Sequence, residues 1–256
     1  MKGPFFSTQL WLFLMFFASS CFAHDIAQIV GKIKPSIVGV GVYDPLGAPR
    51  HQLQGTGFVI GDGTIVATNH HVVEGELGAD SKQSRVVFIG AGRNPRISEA
   101  EIIATDPLHD LALLRIKTKL TPLILAKAGQ VADGTDVAFT GFPIGAILGL
   151  YPATHRGVIA AYTPVIIPSS NASQLSITML KRLREPYFIY QMDATAYPGN
   201  SGSPVYELEG GDVVAIINKV FVQQTKESAI TNPSGISYSI PVKYLVDLLD
   251  NLDKRR

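Results

Sequence analysis

The sequence predicts an all-β protein built as two six-stranded antiparallel barrels, with a short helix at each end. Short apolar runs recur at frequent intervals along the 256 residues, and the 24 glycines and 16 prolines punctuate them with turns. Helical periodicity appears only near the two ends. With 46% hydrophobic and 17% charged residues, the chain has ample material for a buried core.

The first residues read as a targeting segment rather than as part of the fold. Lys2 supplies a positive n-region, Leu10 to Ala18 forms an apolar stretch too short to span a bilayer, and Cys21-Phe22-Ala23 offers a cleavage site. Residues 1–23 are therefore expected to be a signal peptide, directing export to a periplasm or to the exterior. An uncleaved anchor helix and a lipid-modified Cys21 are the alternatives. Cleavage after Ala23 would remove the single cysteine, so no disulfide is expected in the mature chain. It would also remove Lys2 and leave 21 cations against 21 anions, a balance that argues against a nucleic-acid partner.

Ile26, Ile29, Val30 and Ile33 repeat at helical spacing behind Asp25, a fitting N-cap. Strands are expected at 36–43, 57–60, 64–68, 85–89, 101–105 and 111–117, giving a first barrel within residues 24–120. Residues 121–133 show little alternation and read as a connector. The second barrel, within 134–256, takes strands at 136–140, 154–162, 187–192, 203–206, 213–222 and 236–240. The chain then closes in a helix opened by Pro241, with Leu245, Leu248, Leu249 and Leu252 on one face. No internal repeat is visible.

Chemistry concentrates in three places. In PGNSGSP, 198–204, glycines flank Ser201, so a tight turn can expose its hydroxyl and aim the backbone N–H groups of Gly199 and Ser201 at a substrate carbonyl. A serine hydroxyl needs a base to take its proton and a third group to orient that base. All six histidines precede Ser201, which excludes the nucleophile-elbow hydrolases, whose order is serine, acid, histidine. His71, in TNHHVV after the apolar run TIVAT, is the candidate base, held where a strand ends in a turn or short helix. Asp110, in HDLALL at the entry to an apolar strand, is the candidate orienting carboxylate.

These motifs resemble the trypsin-like peptidases, and more closely the HtrA (Deg) family of serine proteases. GTGFVI at 55–60, GFPIG at 141–145 and GISYSIPV at 235–242 extend the resemblance to roughly residues 36–252. His70, Tyr197 and Ser203 depart from the residues usual in the family, and the PDZ domain typical of it is expected to be missing. The resemblance implies an endopeptidase acting on proteins or peptides through His71, Asp110 and Ser201, with protein quality control as the expected role. A silent chaperone or peptide-binding scaffold on the same fold is the alternative.

It further implies a side-chain pocket walled by 193–197, 218–221 and 235–238, with Thr195, Asn218, Val220 and Phe221 as its substrate-binding residues. In similar enzymes an aspartate six residues before the serine selects Arg and Lys; here that residue is Thr195, which points to an aliphatic side chain. Relatives are usually trimers, so a homo-oligomer is expected. Stretches 143–152 and 168–185 are expected to act as loops that gate the turn at Gly199.

No cofactor is expected, and no metal either. The pair His70-His71 lacks a ligand set such as H-E-x-x-H, and adjacent strand residues would face opposite ways. His109 is expected to be a solvated loop residue and Asp193 a turn or pocket-wall residue. Asn171-Ala172-Ser173 carries no functional weight.

Overall fold

The computed structural model describes residues 26–75, 77, 82–127, 129–143, 149–165, 186–218 and 235–254. The signal-peptide reading, Asp25, residues 144–148 of the first proposed gating loop, the whole of the second, and Val220 and Phe221 lie outside these residues.

Helix α1, Ile26–Ile33, buries Ile29 and Ile33, one helical turn apart. Both lean on Gly211, where a Cβ would sit 3.4 Å from Ile29 Cγ2, so the N-terminal helix is packed against a turn of the second barrel. A single 3₁₀ turn at Lys34–Ser36 leads into β1, Ile37–Tyr43. The first barrel continues with β2 His51–Ile60, β3 Ile65–Asn69, β4 Ser84–Ile89, β5 Arg96–Asp106 and β6 Leu111–Ile116. Its strand order is β1-β2-β3-β6-β5-β4, closed by antiparallel pairing of β1 with β4.

The second barrel comprises β7 Asp136–Gly141, β8 Ala153–Pro164, β9 Phe188–Asp193, β10 Pro204–Glu207, β11 Val213–Asn218 and β12 Ile236–Pro241. Its order, β7-β8-β9-β12-β11-β10 with β10 paired to β7, repeats the first barrel's topology. A repeat without sequence identity is physically reasonable, because a closed barrel requires only inward apolar positions and suitable turns. The expected two six-stranded antiparallel barrels are thus observed.

Inward-facing Val38, Val40, Val59, Val66, Val87 and Leu114 fill the first barrel. Val137, Phe139, Ile159, Tyr190, Met192 and Ile217 fill the second. A further cluster, including Phe58, Leu111, Leu113, Phe142, Tyr206 and Leu245, packs barrel faces and helices together. Each fully buried aliphatic or aromatic side chain contributes about 1.5–3 kcal/mol relative to exposure.

The stretch between the barrels is tied to both. Leu123 N–H donates to Val59 O at 2.8 Å, Ala126 N–H to Val213 O at 2.9 Å, and Val213 N–H to Ile124 O at 2.8 Å. A four-residue helix, α2, His70–Val73, follows β3, and the chain's closing helix, α3, spans Val242–Asp253. Pro241 stands at the N-cap of α3, while Leu245 and Leu248 are buried and Leu249 and Leu252 half-buried.

Several strands run longer than the apolar pattern predicts. Strand β2 begins at His51 because the exposed His51 and Gln52 and the half-buried Leu53 still pair with 41–43 of β1, and β5 begins at Arg96 in the same way against β4. Backbone pairing needs no apolar side chain, so such extensions leave no mark in hydrophobicity.

Candidate active site

His71 and Asp110 are brought together by the local geometry of two strand ends. Strand β3 ends at Asn69 and passes directly into α2, while β6 begins at Leu111, paired with Asn69. The carboxylate of Asp110 accepts twice from His71, from the backbone N–H at 2.8 Å and from ring Nδ1 at 2.6 Å. An ionised carboxylate can only accept, so Nδ1 carries the proton and Nε2 of the neutral ring is left as an acceptor. The His71 side chain is 31% exposed and that of Asp110 6%, so the imidazole reaches solvent while the carboxylate does not.

Asp110 is the only non-glycine residue with positive φ among the described residues, at +55°. That region is uncommon for a non-glycine residue, though aspartate enters it more readily than most. The conformation is overdetermined, since its carbonyl also accepts from His70 N–H at 3.0 Å and from Asn69 Nδ2 at 3.1 Å. Strained backbone of this kind gathers at functional sites.

His70 and His71 lie in α2 and not on a strand, so their side chains do not face opposite ways as expected for adjacent strand residues. Adjacent helical side chains diverge by about 100° around the axis.

Ser201 sits in the turn before β10 and is 4% exposed. The preceding four residues form a type II turn: Asn200 N–H donates to Tyr197 O at 3.0 Å, with Pro198 second and Gly199 third at φ +97°. Only glycine holds that φ without cost. Gly202, at φ +86°, lets the chain press on the first barrel, where a Cβ would lie 2.1 Å from Thr56 O and 2.5 Å from Thr68 Oγ1. Ser201 O accepts from Thr56 N–H at 2.9 Å. The serine turn therefore rests on β2 and on the end of β3, the strand that leads into His71.

The expected pocket walls also adjoin. Ala194 N–H donates to Gly235 O at 2.9 Å, Asp193 pairs with Ile236, and Asn218, 3% exposed at the end of β11, pairs with Tyr238. Thr195 follows β9 and is half-buried.

His109 is not a solvated loop residue. Its Nδ1 lies 2.5 Å from Asp106 Oδ2, and its ring stacks on Tyr244 and meets Tyr187 edge-on. Burial pushes the Asp106 carboxyl up, but the hydrogen bond and charge of His109, with the His109 and Leu108 N–H groups, bring it below the ordinary carboxylate value. The spacing Asp106-x-x-His109 was the available signal, because it closes a turn back on itself.

Two further residues were missed. Thr56, wholly buried, meets the serine turn through both backbone and hydroxyl. Gly141, at the end of β7, must be glycine because a Cβ would fall 2.0 Å from Ser203 Oγ. Both lie in motifs visible in the sequence, GTGFVI and GFPIG, yet neither carries a titratable group to draw notice.

A His–Asp pair on one six-stranded barrel and a glycine-framed serine at the edge of a second define the chymotrypsin-like class of two-barrel proteins. Residues 55–216 match the trypsin-like peptidase domain, and the chain belongs to that family. Its curated relatives include a probable periplasmic serine endoprotease, DegP-like, from Marinomonas sp., 30% identical over 210 residues, covering 80% of this chain and 37% of the relative. The mitochondrial serine protease HTRA2 of Bos taurus is 28% identical over 239 residues, covering 90% of this chain and 43% of the relative. The chain thus spans less than half the length of these curated relatives, and the domain it matches in them is of the HtrA type.

Solved structures agree on the fold. The serine endoprotease from Yersinia pestis superposes with a TM-score of 0.60 at 23% identity, covering 89% of this chain and 66% of that one. An HtrA-type protease with a tripeptide superposes with a TM-score of 0.63 at 21% identity, covering 89% and 63%.

Proposed function

We propose that this chain is an exported serine endopeptidase acting on protein substrates, with Ser201 as nucleophile, His71 as general base and Asp110 as its orienting partner. The observation that carries the reading is the double acceptance by Asp110 from His71, which fixes both the tautomer and the direction of the ring.

In this mechanism Ser201 Oγ attacks the scissile carbonyl carbon while its proton passes to His71 Nε2. The N–H groups of Gly199 and Ser201 receive the oxyanion of the tetrahedral intermediate. His71 then gives its proton to the leaving amine as the C–N bond breaks, which leaves an acyl ester on Ser201. Water, deprotonated by the same imidazole, hydrolyses the ester and restores the serine. The carboxylate of Asp110 stays ionised throughout and stabilises the imidazolium.

The type II turn at 197–200 supports the role given to Gly199, because its sense sets which way the Pro198–Gly199 amide faces. Thr195, Asn218, Val220 and Phe221 complete the proposal as substrate-pocket residues. Export is supported by the Lys2 to Ala23 pattern and by the periplasmic designation of the Marinomonas relative. A role in protein quality control and assembly into a homo-oligomer, a trimer, belong to the same proposal, and light-scattering mass checks the latter.

The test is labelling of the purified protein with a fluorophosphonate, alongside hydrolysis of an unstructured protein. Labelling at Ser201 with turnover is the expected result. A folded protein that neither reacts nor hydrolyses would assign the chain to a silent peptide-binding scaffold instead.

A further inference from the structure

We infer that Thr56 is a positioning residue for the oxyanion-binding turn, acting from the first barrel on the serine loop of the second; the inference rests on the endopeptidase reading above. Thr56 lies within β2 and is wholly buried. Every polar atom it carries has a partner. Its Oγ1–H donates to Gly199 O at 2.7 Å, and the same oxygen accepts from Phe142 N–H at 3.0 Å. Its N–H donates to Ser201 O at 2.9 Å, and its carbonyl accepts from Thr68 Oγ1 at 2.7 Å.

The consequence lies in which peptide units are held. Gly199 O belongs to the Gly199–Asn200 peptide, whose other end is fixed by Asn200 N–H donating to Tyr197 O at 3.0 Å. Ser201 O belongs to the Ser201–Gly202 peptide, whose N–H donates to Ile217 O at 3.0 Å. Between these two immobilised units lies the Asn200–Ser201 peptide, which carries the Ser201 N–H. Immediately before them lies the Pro198–Gly199 peptide, which carries the Gly199 N–H.

Proline fixes its own φ, so the sense of the turn depends on ψ of Pro198 and on φ of Gly199. Anchoring the Gly199 carbonyl fixes the peptide plane on the C-terminal side of that turn, against which the Pro198–Gly199 amide is oriented. Neither Thr56 contact is made with substrate, so the residue acts through the turn and not on the reacting atoms.

The hydroxyl is aimed as well as placed. Because Phe142 N–H occupies a lone pair of Oγ1, the hydroxyl proton is directed at Gly199 O. Phe142 directly follows β7, so three segments converge on one oxygen: β2, the serine turn and the end of β7. Gly141 makes room for this, since a Cβ there would lie 2.8 Å from Thr56 Oγ1. A valine at position 56 keeps the shape but leaves the part-buried Gly199 carbonyl and the buried Phe142 N–H without this partner, freeing the turn to rotate.

The experiment compares wild type, Thr56→Val, Thr56→Ser and Thr56→Cys, well below each variant's melting temperature, with active enzyme counted by fluorophosphonate titration. Removing one oxyanion donor outright costs about 10²–10³ in kcat, so misorienting the turn is expected to lower kcat of Thr56→Val at least about tenfold. KM for a short peptide should stay within about threefold. Affinity for a peptide boronate, whose tetrahedral oxygen occupies the oxyanion position, should fall in step with kcat/KM. Thr56→Ser, which keeps the oxygen, should recover kcat to within about threefold of wild type. Thr56→Cys, with its weaker donor, should lie between, and it serves if the valine variant does not fold.

Wild-type kcat in Thr56→Val or Thr56→Cys, or boronate affinity unchanged while kcat falls, would overturn the inference. So would a serine variant as slow as the valine. An inactive wild type would instead sink the endopeptidase reading.

Discussion

The imidazole of His109 lies flat on the ring of Tyr244, with centroids 4.0 Å apart and planes 16° apart. This contact joins the turn that delivers Asp110 to the closing helix α3, which otherwise packs on β5, β11 and β12. Through the hydrogen bond from His109 to Asp106, both ends of the 106–110 turn share the anchor. A stacked aromatic pair contributes about 0.5–1.5 kcal/mol beyond the area it buries. Tyr244→Leu and His109→Ala should each lower the melting temperature by several degrees, at roughly 2–4 °C per kcal/mol for a domain of this size. A double-mutant cycle should return a coupling of about 0.5–1.5 kcal/mol, and simple additivity would show that the stack contributes nothing specific.

His155 supplies a pH dependence of opposite origin to that of a paired histidine. Its ring stacks on Phe139 at 4.8 Å, and its Nε2 is buried without a partner. Burial pushes the imidazole below its ordinary value of 6.5, because the folded surroundings disfavour its charged form. The unfolded chain then binds more protons than the folded one as pH falls through about 6.5, and stability declines from there down to the folded pKa. Urea midpoints measured between pH 8 and 5 should fall toward acid in wild type and flatten in that range for His155→Phe. An unchanged slope in the variant would assign the acid loss to other groups.

Asp110→Asn tests charge while sparing the backbone, because asparagine also accepts the positive φ found there. Its amide oxygen can take only one of the two His71 donors in place, and its NH₂ would favour the wrong tautomer at Nδ1. Loss of a triad member's function typically lowers turnover by several orders of magnitude. Both Asp110→Asn and Ser201→Ala should therefore lose at least about 10³ in kcat on a peptide substrate, with circular dichroism and melting temperature close to wild type. Hydrolysis by Ser201→Ala near the wild-type rate would remove the nucleophile assignment.

The barrels were legible because their strands bury apolar side chains: β6, LALLRI, and β11, VVAIIN, are almost wholly inside and read as apolar runs. The exposed starts of β2 and β5 were not, since their pairing is a property of backbone alone. His71 and Asp110 were found by residue type and setting, and the structure brings them within hydrogen-bond distance. Thr56 could not be found that way. Its importance lies in four contacts to residues between 12 and 145 positions away, and a buried threonine in a strand looks like any other β-branched residue. His109 was misread because a loop position was equated with solvation, whereas its aromatic neighbours come from residues 187 and 244.

The proposed substrate pocket makes specificity depend on the residue at position 195, a threonine. The three wall segments meet through the pairing of β9, β12 and β11, and Asn218 and Ser237 are buried among them. A cationic side chain entering such a pocket would surrender its hydration and needs a carboxylate to replace it. Thr195 carries no charge, so cleavage of an unbiased peptide library should favour aliphatic residues before the scissile bond and disfavour Arg and Lys. Thr195→Asp should reverse part of that preference, raising kcat/KM for a lysine or arginine substrate at least about tenfold relative to a valine one. Library cleavage by wild type that clusters after basic residues, or an aspartate variant with unchanged preference, would show that position 195 does not form the base of the pocket.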